Sequence, residues 1–592
     1  MLSLPQAIQR KTHEEGTKSR QVGADQAEGA AAMTGATEIP DSQELEVNWT
    51  LEYKAGQEKP GAGEEPMHEV NRQFVRNVAT TIFARVVNMA RGVCLIPFLL
   101  ARIGLEAYGI WTTIFILVTY VGLTTMGISN VYIKYVAEFH ARKQYDKANS
   151  LLSTGLAVTI PLCAVVFLCF LLGWKWIAPL LKLPVAHAAD GKEAVLIVLG
   201  VFLSSIALSA YGCMLYGTHQ IASTQIFETV SIVVECGLIV WLVCAGRGVR
   251  GLAEAYLART VINDGLTIWW AKRKLKWLHL SPRLVSCESM KYVVHFGGLV
   301  QFQSMLSTFL NSVERVAAIG FINVSAAGLL DVAKKWPTAL ASVPTAFFAA
   351  MLPAASHVDA ASRRSEWQGN LQKLYLSGAR YSNLCTAVFA AAMAFWATPV
   401  MHVWLGPGLP MRETLIPLFV VFSFAMQFHM LTGPGTSILR GMGRVYEEFT
   451  YSVPNVLLLG FTLPASRWIL GRWTPLGIGV AVALATAGAA CVLMGRVLYV
   501  LDLRLTRFLR VVILPGFAPY VAAGLLAWPT ARLVAAVSRW QGAGVVLAAA
   551  LIYVAGVVAM LHWLVLTDEE KQKGLGVVRQ ILGVFRGREA TA

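Results

Sequence analysis

The chain has 592 residues, of which 56% are hydrophobic and 14% charged, with a formal net charge of +15. Soluble domains carry about 25% charged residues, whereas here apolar runs long enough to cross about 30 Å of hydrocarbon recur along the chain. A soluble enzyme is excluded, and so is a nucleic-acid partner, because the basic residues punctuate loops between spans and form no single patch.

The class that remains is an all-α polytopic membrane protein. Short strands of alternating polarity, the mark of a membrane barrel, do not occur. The nine cysteines lie in or beside apolar segments without CxxC or metal-type spacing, and read as buried, reduced, structural thiols.

In chain order, residues 1–70 come first, including "EIPDSQELEVNWTLEYKAGQEKPGAGEEP". They are polar and rich in Glu, Gly and Pro, and read as a disordered cytoplasmic tail without a signal-peptide pattern. Fourteen spans are expected at about 77–101, 108–128, 151–173, 195–215, 226–245, 252–270, 296–319, 326–351, 381–404, 414–434, 453–470, 477–495, 512–531 and 544–566. Residues 71–285 form an N-terminal half with spans one to six and a basic linker. Residues 286–566 form a C-terminal half with spans seven to fourteen, and 567–592 a second cytoplasmic tail.

An even span count puts both termini on one side. The loops "EFHARKQYDK", "AKRKLKWLHLSPRL", "DAASRRSEWQGNLQK" and "LDLRLTRFLR" then face the cytoplasm and hold the larger number of Lys and Arg. They are also longer than the outer loops, so the density of positive charge barely differs between the two sides.

A repeat organises the spans. "LLARIGLEAYGIW" joins the first two spans and "VAAIGFINVSAAGLL" joins the seventh and eighth. Each ends one span in Ile-Gly and opens the next with a residue-Gly step, Tyr108-Gly109 and Ala327-Gly328. "YGCMLYGTHQ" and "TSILRGMGRV" form a second matched pair. Such repeats imply a transporter with its substrate path between the halves.

Charges inside spans cost several kcal/mol unless compensated, roughly 2.5–3.5 on insertion scales. Arg85, Asn88 and Arg91 share one face of the first span. Gln301, Ser304, Ser307, Thr308, Asn311 and Arg315 form the matching stripe on the seventh. The two stripes line either a water-filled lumen or a polar helix–helix seam.

On the fifth span Gln225, Glu228, Ser231 and Glu235 share a face, opposite Arg259, Asn263 and Asp264 of the sixth. Either Glu–Arg pairing or proton exchange at an intramembrane carboxylate accounts for them. Glu228, Glu235 and Asp331 are the ion-coupling candidates. In "LLDVAKKW" of the eighth span, Asp331 lies within reach of either Lys334 or Lys335 along the helix. One lysine is thereby left without an intrahelical partner, and Pro337 weakens the helix ladder beside it.

If Arg85, Arg91, Lys334 and Lys335 share a lumen, it is cationic and suited to phosphate. The substrate-binding candidates are therefore Arg85, Asn88, Arg91, Arg315, Lys334 and Lys335. No metal, nucleotide or other cofactor motif is found. "GRGVRG" has the form GxGxxG but follows no strand. His402 and His429 read as packed side chains. A membrane glycosyltransferase or polymerase would need acidic residues in a large outer loop, and "WKWIAPLLKLPVAHAADGKEA" has few.

The stretch 95–156, with Gly104, Tyr108, Gly109, Trp111, Gly127 and Asn130, resembles the opening of Wzx-type polysaccharide and oligosaccharide flippases. These belong to the multidrug/oligosaccharidyl-lipid/polysaccharide (MOP) exporter superfamily. "NSVERVAAIGFINVSAAGLLDVAKKW" resembles the start of their second half. The resemblance implies about fourteen transmembrane helices in two pseudo-repeated bundles around a central cavity, MATE-like, with alternating access. It also implies a lipid-linked oligosaccharide substrate moved across the bacterial inner membrane for surface polysaccharide biosynthesis, with membrane lipids and a polymerase or glycosyltransferase as partners. An ion-coupled drug antiporter of the same superfamily is the alternative.

Overall fold

The computed structural model describes residues 64–562, except 124–127, 183, 185–187, 219, 362–363 and 407–411. Most of the two expected tails lies outside the described residues. The chain divides into two compact units, Met1–Val75 and Arg76–Ala592, and apart from the first turns of α1 everything below belongs to the second.

The helices are α1 Glu64–Gly122, α2 Ile128–Ala141, α3 Tyr145–Leu172, α4 Trp174–Leu180, α5 Ala188–Gly217, α6 Ile221–Cys244 and α7 Gly248–Lys274. There follow α8 Cys287–Phe321, α9 Val324–Ala361, α10 Arg364–Phe395, α11 Ala397–Leu405, α12 Arg412–Gly441, α13 Phe449–Leu470 and α14 Pro475–Val500. Last come α15 Leu505–Phe508, α16 Ala518–Ala535 and α17 Arg539–Met560.

Each expected span falls on or across one of these helices, and no strand occurs among the described residues. Among the described residues, nine helical segments are long and apolar enough to cross a membrane, or ten if Gln368–Phe395 and Ala397–Leu405, bent by 76°, count as one. α7, α8 and α9 are 27, 35 and 38 residues long but interrupted by charge. Those three helices carry much of the site described below.

α1 holds two expected spans without a loop between them. Its single non-helical residue is Gly104, at φ 80° and ψ 171°, a region open essentially to glycine alone. A Cβ there would meet nothing within 4 Å, so its cost is conformational, not steric. Gly104→Ala is expected to destabilise by about 1–3 kcal/mol, read as a lowered Tm of the detergent-solubilised protein.

Apolar burial is divided among several cores. One joins Ile110, Ile114, Val198, Leu199 and Ala253 of α1, α5 and α7. Another joins Leu371, Tyr375, Ile438, Val497 and Phe508 of α10, α12, α14 and α15. The largest lies between the two sets and takes residues from both, among them Leu99, Tyr108 and Ile239 with Ala327, Leu330 and Phe419.

At that seam α1 and α9 touch through glycines. A Cβ on Gly109 would sit 2.2 Å from the Val324 carbonyl oxygen, and one on Gly328 would sit 3.0 Å from Gly109 Cα. The residue-Gly steps noticed in the sequence are therefore a point of close backbone contact between the two bundles.

Outward-facing apolar residues such as Leu457, Phe461 and Leu525 are exposed, as expected where hydrocarbon is the solvent. Trp176, Trp468, Trp528 and Trp540 are also exposed. By helix alternation they fall toward the same end of the bundle, as an interfacial aromatic belt does. All nine cysteines are free, but only Cys163 and Cys213 are buried. The expectation of burial fails for the others: Cys236 and Cys385 are half-buried and Cys94, Cys169, Cys244, Cys287 and Cys491 are exposed.

Candidate functional site

A cavity of about 210–260 Å³ lies on each side of the LLDVAKKW segment. The larger, about 260 Å³, is walled by α1, α6, α8 and α9, and so by both bundles. Its charged residues are Arg91, Glu235, Arg315, Asp331 and Lys335.

Two ion clusters build its walls. In the first, Arg91 Nη1 lies 2.5 Å from Glu235 Oε2 and Arg259 Nη1 lies 3.6 Å from the same oxygen. Arg259 Nη2 also donates to Glu228 at 2.6 Å. In the second, Asp331 takes Arg315 on Oδ1 at 3.1 Å and Lys335 on Oδ2 at 3.1 Å. Tyr108 of the other bundle donates its hydroxyl to Asp331 Oδ2 at 2.7 Å. That bond crosses the seam next to the Gly109–Gly328 contact.

Exposure within these pairs is one-sided. The side chains of Glu235 and Asp331 are 3% and 8% exposed, against 27%, 23% and 35% for Arg91, Arg315 and Lys335. The carboxylates are sunk in the wall and hydrogen-bonded, which is how a buried charge is tolerated. The cations keep free surface, and an arginine with a free edge can still take a phosphate oxygen.

Lys334 points elsewhere. Its Nζ donates to Glu314 Oε1 at 2.7 Å and to the Asn311 carbonyl at 3.0 Å, and it lines the second cavity, of about 210 Å³. The lysine left over by Asp331 is thus paired from α8. Sequence reading passed over Glu314, although it continues the α8 stripe three residues after Asn311. Its side chain is fully buried. α9 runs on through Pro337, and the Thr338 hydroxyl ties back to the carbonyls of Lys334 and Lys335.

The other candidates are placed as follows. Arg85 and Asn88 are exposed on α1, on the N-terminal side of Arg91, and neither lines the charged cavity. Glu228 lines a third cavity of about 230 Å³ with Gln225, Asn263 and Asp264. Gln301 donates across to the Leu123 carbonyl. Ser307 and Asn311 line the second cavity, as does His429, whose Nδ1 lies 2.8 Å from the Tyr451 hydroxyl.

Two bundles enclosing a charged cavity, with glycine-mediated contact at one end, define a polytopic helical membrane protein whose fold is shared by solved structures. One similar structure is an inward-facing multidrug resistance MATE family transporter of the MOP superfamily, with a TM-score of 0.57 and 14% identity, covering 72% of this chain and 98% of that one. Another is the lipid II flippase MurJ in an inward closed conformation, with a TM-score of 0.58 and 12% identity, covering 82% and 99%. At such identities the likeness concerns the fold.

Residues 99–408, just over half the chain, match the family described as "Polysaccharide biosynthesis protein", and the chain belongs to that family. A relative in Bacillus subtilis (strain 168), the uncharacterized membrane protein EpsK, is 19% identical over 465 residues, 78% of this chain and 89% of that one.

Proposed function

We propose that this protein is a flippase that moves a polyprenyl-diphosphate-linked oligosaccharide from the cytoplasmic to the outer leaflet of the bacterial inner membrane. The product would feed O-antigen, capsule or exopolysaccharide synthesis. The observation that carries the reading is the cavity shared by both bundles, where three cations face the space and two carboxylates lie behind them. A drug antiporter taking cationic cargo would be served by the opposite arrangement.

In this reading both termini are cytoplasmic and the 102–107 and 320–324 connections face outward. The Tyr108–Asp331 bond and the glycine contact then form a closed outer gate. Cargo enters from the inside, and its diphosphate draws on Arg91, Arg315 and Lys335. As Arg91 turns to the cargo, Glu235 is left with Arg259, at 3.6 Å, and can bind a proton or another cation more readily, which links cargo to an ion gradient. Glu228 is placed to share that ion through Arg259. Rocking of the bundles breaks the seam and opens the cavity outward. Arg85 and Asn88, exposed before the cavity, form its approach.

The test is Arg91→Gln with Lys335→Gln. Glu235 keeps Arg259 and Asp331 keeps Arg315 and Tyr108, so each buried carboxylate retains a partner. The charge lining the cavity changes sign. Export of surface polysaccharide by a deletion strain carrying this variant is expected to fall at least about tenfold, a change of roughly 1.4 kcal/mol or more in effective binding. Undiminished export at normal protein abundance would reject the cationic cavity as the cargo site.

A further inference from the structure

Lys334 and Lys335 are adjacent, so on a helix they point about 100° apart. The two directions lead into two chemically different cavities. Lys335 faces the charged one, while Lys334 faces the second, enclosed by α8, α9, α12, α13 and α14.

The second cavity is built mainly from neutral polar groups. Hydroxyls come from Ser307, Thr432, Thr436, Tyr451, Ser452 and Thr486, and side-chain amides from Gln303, Asn311 and Asn455. Its two charged residues are both neutralised nearby, Lys334 by Glu314 and Glu448 by a bidentate contact with Arg440. A site for a drug-sized ligand would be lined by apolar residues with a few polar groups. Here twelve of the eighteen lining residues are polar or charged, although apolar atoms still make up the larger part of the exposed wall.

Much of its hydrogen-bonding capacity is unspent. Thr432 and Thr436 donate to helix carbonyls one turn back, which leaves their oxygen lone pairs free to accept. The side-chain carbonyl oxygen of Gln303 is closed off from solvent and accepts no hydrogen bond in the structure. Buried acceptors of that kind are rare without a partner. A ligand hydroxyl, which both donates and accepts, satisfies such a mixed lining. The volume of about 210 Å³ corresponds to roughly seven waters at about 30 Å³ each, the scale of one sugar ring. Phe422 and Met426 supply an apolar surface for the ring's C–H face.

We infer that the second cavity is a carbohydrate subsite, distinct from the charged cavity, that holds one sugar residue of the cargo while the diphosphate occupies the charged one. This rests on the flippase reading and deepens it. The pair Lys334-Lys335 is the partition between the subsites, with Glu314 keeping Lys334 neutralised so that the sugar side does not compete for phosphate.

The experiment starts from a deletion strain. If the flippase reading holds, the strain accumulates lipid-linked glycan and loses surface polysaccharide. The glycan released from that pool by mild acid, and inorganic pyrophosphate, are the two probes. Each is added at millimolar concentration to the full-length protein in detergent, and the shift in Tm is followed.

Wild type is expected to be stabilised by both probes. Asn311→Leu with Thr432→Val, which removes an amide and a hydroxyl at near-constant volume, should keep its response to pyrophosphate. Its apparent affinity for the glycan should weaken by about tenfold or more. Arg91→Gln with Lys335→Gln should show the converse. If the double variant does not accumulate, Thr432→Val alone is read in the same way.

A glycan response equal to that of wild type in the cavity variant would overturn the subsite, as would a wild type that ignores the glycan. Absence of accumulated lipid-linked glycan, with surface polysaccharide intact, would instead overturn the flippase reading and the subsite with it.

Discussion

Asp331→Ala is expected to lower stability by about 3 kcal/mol, the low end of the range for removing one partner from a buried ion pair. Three groups lose their acceptor at once: Arg315, Lys335 and the Tyr108 hydroxyl. The Tyr108 side chain is 3% exposed, at the edge of the cavity, so its hydroxyl loses the acceptor that it holds in the wall. The two cations keep some access to the cavity, which is why the low end applies. Thermal unfolding of the purified protein in detergent measures the effect. Lys335→Ala introduced together with Asp331→Ala should recover part of the loss, because one of the two stranded charges is then gone. A single variant less than about 1 kcal/mol from wild type would mean that Asp331 does not hold the seam.

The second large effect is expected at Gly109. A methyl group there would sit 2.2 Å from a backbone oxygen of α9, and backbone cannot yield as a flexible side chain does. Overpacking of this kind costs typically about 1–3 kcal/mol. The cost falls only on conformations in which the two bundles touch. Gly109→Ala should therefore both lower the Tm and shift the carrier toward the state open at the 102–107 end. A cysteine replacing Thr112, which lines the charged cavity, reports the shift in a background without native cysteines. Its labelling by a membrane-impermeant maleimide from that side should rise several-fold in the Gly109→Ala protein. Unchanged labelling with an unchanged Tm would show that the helices separate freely there.

The sequence exposed the fold because a bilayer enforces simple rules. Only helices satisfy their backbone inside hydrocarbon, so apolar length pointed to most of the long helices, though not by itself to the charge-interrupted α7, α8 and α9. Ile-Gly followed by a residue-Gly step marked the two matching corners. Asp331 with Lys335 could be read from i,i+4 spacing, and the Glu–Arg pairing between α6 and α7 from facing stripes.

Contacts between distant helices could not be read in this way. Nothing in the sequence around Tyr108 says that its hydroxyl meets Asp331, 223 positions later. Glu314 was obscured by its neighbour Arg315, since adjacent unlike charges look self-neutralising on paper. In the structure the same Glu314 oxygen lies 3.8 Å from Arg315 Nε but takes Lys334 much more closely, at 2.7 Å. The sequence left two arrangements open, both lysines in one lumen or one there with the other neutralised by Asp331, because it gives only their helix and not the number of spaces around it. In the structure the lysine that Asp331 holds is the one in the charged cavity, and Lys334 faces a second space.

Gly104 has a mechanical side. Because α1 turns its corner at a single residue with no loop, there is no slack between Arg91 on one arm and Tyr108 on the other, though both border the same cavity. In the proposed flippase, a tilt of the first arm toward bound cargo would swing the second, which carries the hydroxyl that bonds to Asp331 across the seam. On that proposal the corner would make α1 a crank, with cargo on one arm and the latch on the other.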